Sequence, residues 1–230
     1  MSASPVEPGA RDPRELSAED AVDVDLIPPR LVLPKVRRAV FAGVAITVVA
    51  AVLVALLVSP VWGAAVLVAG AAPGIGGYLG VMRRRVVLDH RVITRRALLT
   101  RRVNLIAAEE VDLVAEVARL AQVSLRISQG RTTMRVPVAL YGSAGRGRVR
   151  GRELPMLATR RLSESLSRHA DPHVREIGRV LGEQSRAQAT SVPIRDRPLY
   201  RAAGIAREVG GNEELVFTAD EVDELNRPPW

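Results

Sequence analysis

The rhythm of apolar and polar positions changes three times along the chain. From Ala39 to Met82 there is no alternation: no side chain is charged, and only Thr47, Ser59, Trp62 and Tyr78 carry polar side-chain atoms. As one straight helix this run would extend roughly 66 Å, about twice the hydrocarbon thickness of a bilayer. Pro60 stands near its middle, where it lacks an amide hydrogen and clashes with the preceding turn, and the interface-seeking Trp62 follows. The pattern predicts a transmembrane helical hairpin within residues 35 to 85, with helices over 39 to 59 and 61 to 82. A re-entrant loop is the alternative, although each arm has the length of a full crossing.

After Arg85 the period drops to two. Val86 and Leu88, Val92 and Thr94, and Val103 and Leu105 recur between basic or polar residues, which reads as strands joined by turns at Asp89-His90 and near Ala97. A clearer hairpin sets Val123, Leu125 and Ile127 against Met134, Val136 and Val138 around Gln129-Gly130. Between these blocks, residues 109 to 122 fit a helix through Leu113, Val114, Val117, Leu120 and Ala121. They fit a strand equally through Val111, Leu113, Ala115 and Val117, and periodicity leaves both open. Residues 142 to 151 read as a loop by composition.

The period then lengthens to that of a helix. Leu154, Leu157, Ala158, Leu162 and Leu166 form one stripe, and Val174, Ile177 and Leu181 form another behind Asp171 as N-cap and Pro172 at the first helical position. From 191 to 230 the pattern predicts an acidic tail with one short helix over 219 to 226. A Thr218/Glu221 capping box opens that helix, with Phe217 and Val222 as its hydrophobic staple. Residues 1 to 34, rich in proline and acid, predict a disordered arm. The fold class is a membrane α-helical hairpin followed by a cytoplasmic α+β domain over 86 to 190.

At Leu88 to Arg102, LDHRVITRRALLTRR, the chain resembles the opening hairpin of bacterial pleckstrin-homology-like membrane proteins. In that family a helical hairpin is followed by a strand, a turn, an Arg-led strand and a second turn. The resemblance covers about residues 85 to 166. It departs from the family pattern at Val86-Val87, where an aromatic is usual, at Asp89, where Thr is usual, and at Ala97, where Gly is usual. It implies a twisted antiparallel, PH-like sheet closed by a C-terminal helix, and it carries over no catalytic residue.

Charge adds orientation. Basic residues flank both apolar arms, Lys35, Arg37 and Arg38 before the first and Arg83, Arg84 and Arg85 after the second, while the tip has none. The positive-inside rule then predicts a multi-pass protein of the plasma (inner) membrane with both termini cytoplasmic. The net charge is +8; the basic excess falls in residues 83 to 152, and acids outnumber bases at both ends of the chain. Candidate contacts with an anionic leaflet are Arg83, Arg84, Arg85, Arg91, Arg95, Arg96, Arg101 and Arg102, joined by Arg146, Arg148, Arg150 and Arg152 of the Gly-rich loop. The acidic C-terminal segment is expected to compete with lipid for that surface.

Other chemistry is sparse. The absence of cysteine excludes disulfides, thiolate nucleophiles and cysteine-ligated metals. Gly74, Gly76 and Gly80 lack phosphate-loop spacing, and Ser143 lacks a nucleophile-elbow setting. His169 and His173 are separated by Pro172, which breaks the helix that would align them on a metal. Gly70 and Gly74, like Gly76 and Gly80, are spaced to pack closely on the first helix or on a second copy of the chain. Neither arm has the intramembrane ionisable residue that marks a transport pathway. These features predict a non-enzymatic protein without cofactor, whose basic domain is an interaction or scaffold module for membrane lipid and a protein partner. The alternative is a membrane-tethered nucleic-acid-binding or regulatory protein, disfavoured because Tyr141 stands alone as a stacking residue near the arginines.

Overall fold

In the computed structural model, which describes residues 21–26, 29–83, 85–96, 100–143, 149–210 and 214–227, the uncharged run forms two antiparallel helices. These are α1 (Pro29–Leu57) and α2 (Pro60–Arg83). Their connection is short because Ser59 supplies its bonds. Its Oγ accepts the Val61 amide at 3.2 Å and its carbonyl accepts the Gly63 amide at 3.1 Å. Pro60 sits at the first position of α2, where no amide is needed. Small residues then set the helix separation: a Cβ on Gly63 would lie 2.6 Å from that of Ala55, and one on Gly70 would lie 2.5 Å from Thr47 Cγ2. α1 starts at Pro29 rather than 39, since charge ends an apolar window without ending a helix.

The strands make two antiparallel sheets. The first has the order β1 (Val22–Asp23), β2 (Arg85–Asp89), β3 (Val92–Arg96) and β4 (Arg101–Asn104). The second contains β5 (Glu110–Val117), β6 (Ala121–Gln129), β7 (Thr132–Ser143), β8 (Val149–Glu153) and β9 (Glu214–Val216), in the order β8-β7-β6-β5-β9. Alternation places Val86, Leu88, Ile93 and Val103 of the first sheet and Val123, Leu125, Ile127 and Val136 of the second in one core. Residues 109 to 122 are therefore strand, with a tight β5–β6 turn. Pairing of β5 with β6 on one side and β9 on the other decides what local periodicity left open.

Helices close the core. α3 (Met156–Leu166) buries Ala158, Leu162 and Leu166, whereas Leu157 of the predicted stripe is exposed. α4 (Pro172–Ala189) begins as the sequence predicts, with the Asp171 side chain accepting the His173 amide at 2.8 Å. α3 and α4 approach closely at Gly178, whose carbonyl accepts the Ser163 hydroxyl at 2.7 Å.

Three boundaries are corrected. The acidic tail after Ser191 is instead part of the domain. α5 (Pro198–Val209) buries Leu199, Ala202 and Ala203; β9 extends the second sheet; and α6 (Ala219–Asn226) buries Val222 and Leu225 behind the predicted Thr218/Glu221 capping box. Hydrophobic burial fixes this segment despite its acids. At the other end, the predicted arm is ordered from Ala21 to Leu26: β1 pairs with β2, and Val24 and Leu26 are buried. Within the predicted loop at 142 to 151, Val149 to Gly151 belong to β8, while residues 144 to 148 lie outside the described residues, as do residues 1 to 20 of the arm.

Candidate membrane-surface interface

β2 begins at Arg85, just beyond the last residue of α2, Arg83. The antiparallel register sets Arg85 opposite Arg96, Arg95 opposite Arg101, and Thr94 opposite Arg102. Directly opposed residues have Cα atoms about 4.5 to 5.5 Å apart, so arginines from three strands gather where the first sheet leaves the helices. Arg83, Arg85, Arg96, Arg101 and Arg102 are exposed, and Arg95 is half-buried. Among the described residues, the Arg85, Arg96, Arg101 and Arg102 side chains have no hydrogen-bond or ion-pair partner. Like charges facing across strands are destabilising. Arg37 and Arg38, near the base of α1, are also exposed.

The register does not gather all the expected arginines. Arg91 is at the opposite end of the first sheet, in the β2–β3 turn, facing Arg161 and Arg168 of the α3 region across a cleft. The apolar stripe does not single out those two, since Arg161 is on the exposed side of α3 and Arg168 lies just beyond its end. Arg150 and Arg152 are exposed on β8, the edge strand of the second sheet. Arg84, Arg146 and Arg148 lie outside the described residues.

Several arginines elsewhere are committed to structure. On the second sheet, Arg126 donates from Nε and Nη2 to Asp112 Oδ2 at 3.0 and 2.8 Å, and Arg135 pairs with Glu214 of β9. The Asp112 hydrogen bond raises the Arg126 pKa further, against an opposing effect of desolvation. Inside the domain, the buried Tyr141 hydroxyl donates to Glu153 Oε1 at 2.7 Å, and Arg197 pairs with the other carboxylate oxygen. Tyr141 also meets Tyr200 edge to face at 5.2 Å. Its ring is therefore enclosed by protein and presents no face to a base.

The remaining motifs find ordinary roles. His169 is buried, its Nε2 3.1 Å from the Ala108 carbonyl and its Nδ1 accepting the Asp171 amide at 3.1 Å, so both ring nitrogens bond backbone. Gly70 packs on Thr47, and Gly74 faces Val40 at 3.8 Å; Gly76 has no atom within 4 Å of the Cβ position.

Two segments, Val36–Leu57 and Pro60–Gly80, are long and apolar enough to span a membrane, with mean hydropathies of 2.9 and 1.3 and only 6% of each most apolar stretch buried by protein. No family model, curated protein or solved structure matches the chain.

Proposed function

We propose that the chain is a non-enzymatic two-pass protein of the plasma (inner) membrane, with an α+β interaction or scaffold module held against the anionic cytoplasmic leaflet. The observation that carries this reading is the strand register that collects Arg85, Arg95, Arg96, Arg101 and Arg102 next to the end of α2. The repulsion among Arg85, Arg96, Arg101 and Arg102, which have no partner among the described residues, is relieved by an anionic surface, where each juxtamembrane arginine contributes about 1 kcal/mol.

Topology supports the same placement. β1 precedes α1 and β2 follows α2, yet Val22 pairs with Leu88 and Asp23 with Val87. Two hydrogen-bonded strands occupy one compartment, so the hairpin between them crosses a bilayer twice or not at all. Arg37 and Arg38, near the start of the apolar span of α1, and Arg83, at the end of α2, lie on the side of those strands, and the positive-inside rule assigns that side to the cytoplasm. The PH-like reading of residues 85 to 166 belongs to the same proposal. It is supported by the antiparallel run from β2 to β8 and by α3, which follows β8 and closes the core with Leu162 and Leu166.

The test is lipid retention by the full chain purified in mild detergent. Replacing Arg96, Arg101 and Arg102 with Gln should lower the anionic phospholipid retained per protein by about half or more, given about 1 kcal/mol per arginine. An unchanged lipid ratio in a folded variant would remove the basis for a headgroup-facing surface.

A further inference from the structure

The end of the first sheet remote from α2 holds a second cationic feature, independent of the membrane-facing one. β2 carries the chain from Arg85 to Asp89, roughly 13 Å along the strand. There the β2–β3 turn and the α3 region enclose a cleft of about 550 Å³. We propose that this cleft binds a phosphate-class oxyanion, supplied either by a free phosphorylated small molecule or by the phosphomonoester headgroup of a lipid.

Three guanidinium groups, those of Arg91, Arg161 and Arg168, line it, and that of Arg161 already has a partner within the protein. Two carboxylates line it as well, but each is already engaged. Asp89 Oδ1 lies 2.8 Å from His90 Nδ1, and Glu164 Oε1 accepts from Arg160 Nε at 2.9 Å. The Arg91 and Arg168 side chains, by contrast, have no hydrogen-bond or ion-pair partner among the described residues. Asn104, at the end of β4, adds a donor: its Oδ1 is taken by the Ile106 amide at 3.0 Å, which leaves the NH₂ group to face a ligand. A lining of forked cations and an amide donor matches an oxyanion with several acceptor lone pairs. The carbonyl end of α3 works against an anion here, and Arg168, just beyond that end, offsets it.

The walls are fixed before any ligand arrives. His90 is held at φ 51°, in the left-handed region, and its carbonyl accepts the Ser165 hydroxyl at 3.2 Å, which ties the turn to α3. The Arg91 carbonyl accepts the Leu105 amide at 2.8 Å, and the Asn104 amide donates to Gln129 Oε1 at 3.0 Å. The backbone of the site is held in this way, so filling it orders chiefly the Arg91 and Arg168 side chains. The volume is within the range of small-molecule pockets, about 300 to 1,000 Å³.

The experiment uses the full chain in nanodiscs of neutral phosphatidylcholine, titrated calorimetrically with inorganic pyrophosphate. Saturable binding is expected, weakened about tenfold or more in the Arg91→Glu/Arg168→Glu double variant through loss of charge-assisted hydrogen bonds. Arg119→Glu makes a charge change of the same sign in the β5–β6 turn, away from the cleft, and should leave binding unchanged. Arg91→Lys/Arg168→Lys should retain part of the affinity, which separates loss of charge from loss of fold. Discs doped with phosphatidic acid distinguish the sources: abolished pyrophosphate uptake assigns the cleft to a lipid headgroup, and persistent uptake assigns it to a free ligand. No saturable pyrophosphate binding in neutral discs, or equal weakening by Arg119→Glu, overturns the proposal.

Discussion

The helical hairpin and the α+β domain are both rich in aliphatic residues and dispose of them in opposite ways. In the domain, Leu125, Ile127, Val136 and Leu162 are fully buried. In the hairpin, Leu56 and Leu57 are 79% and 82% exposed, and Phe41 and Ile46 68% and 71%. Each helix is contacted along one side by its partner through small residues, and its larger side chains point outward. An apolar surface of that extent marks contact with a membrane or with another protein. The difference teaches that the two regions have opposite surfaces, an apolar exterior on the hairpin and an apolar interior in the domain, with the strand pair β1–β2 as the seam between them.

The sharpest way to break this comparison is all or none. The chain has no cysteine, so single cysteines at Asp23, Arg119 and Val61 can be labelled with a membrane-impermeant maleimide. Asp23→Cys and Arg119→Cys should react from one side of the membrane, and Val61→Cys, at the hairpin tip, only from the other. Reaction of all three from one side would reduce the hairpin to a re-entrant or surface-bound element.

Next in size is a pair of leucine truncations. Leu125→Ala should destabilise the domain by about 3 kcal/mol in denaturant unfolding, because a buried leucine leaves a cavity. Leu57→Ala removes the same atoms from an exposed site near the tip and should shift the same transition by less than about 0.5 kcal/mol. Equal effects would mean that the two regions share one core.

How much of this was legible in the sequence depends on how local each cause is. The hairpin was legible because an uncharged run at membrane length needs no partner to be recognised. The Asp171 and Thr218 caps were legible because each is settled within a few residues. β1 and β9 were not, since two- and three-residue strands carry no periodicity and exist through pairing with β2 and β5. α5 was hidden because its buried positions, Leu199, Ala202, Ala203 and Ala206, are mostly alanines and make a faint stripe. The arginine candidates were legible as a set, but their division was not. Register alone decides that Arg96 joins Arg85 while Arg91 stands at the far end beside α3.

The smallest expected effect sharpens the comparison from the polar side, since the domain buries a hydrogen-bonded phenol whereas the hairpin leaves its indole, Trp62, 63% exposed. The Tyr141 hydroxyl bonds Glu153, whose other oxygen is held by Arg197 and by Gln188 Nε2 at 3.1 Å. Tyr141→Phe removes one donor and leaves Glu153 its other two partners, so the cost at neutral pH should be about 1 kcal/mol. The variant should also change the response to alkali. Desolvation first, and then the neighbouring Glu153 carboxylate, raise the phenol far above its ordinary value of 10.0. Above pH 10 the unfolded chain loses this proton while the folded chain keeps it, so the folded state loses stability as pH rises, by up to about 1.4 kcal/mol per pH unit. Below pH 10 both states hold the proton and the effect vanishes. The difference in unfolding free energy between the wild-type chain and Tyr141→Phe should therefore shrink and then reverse between pH 10 and 11.5, and a difference constant across that interval would show that the phenol is open to solvent.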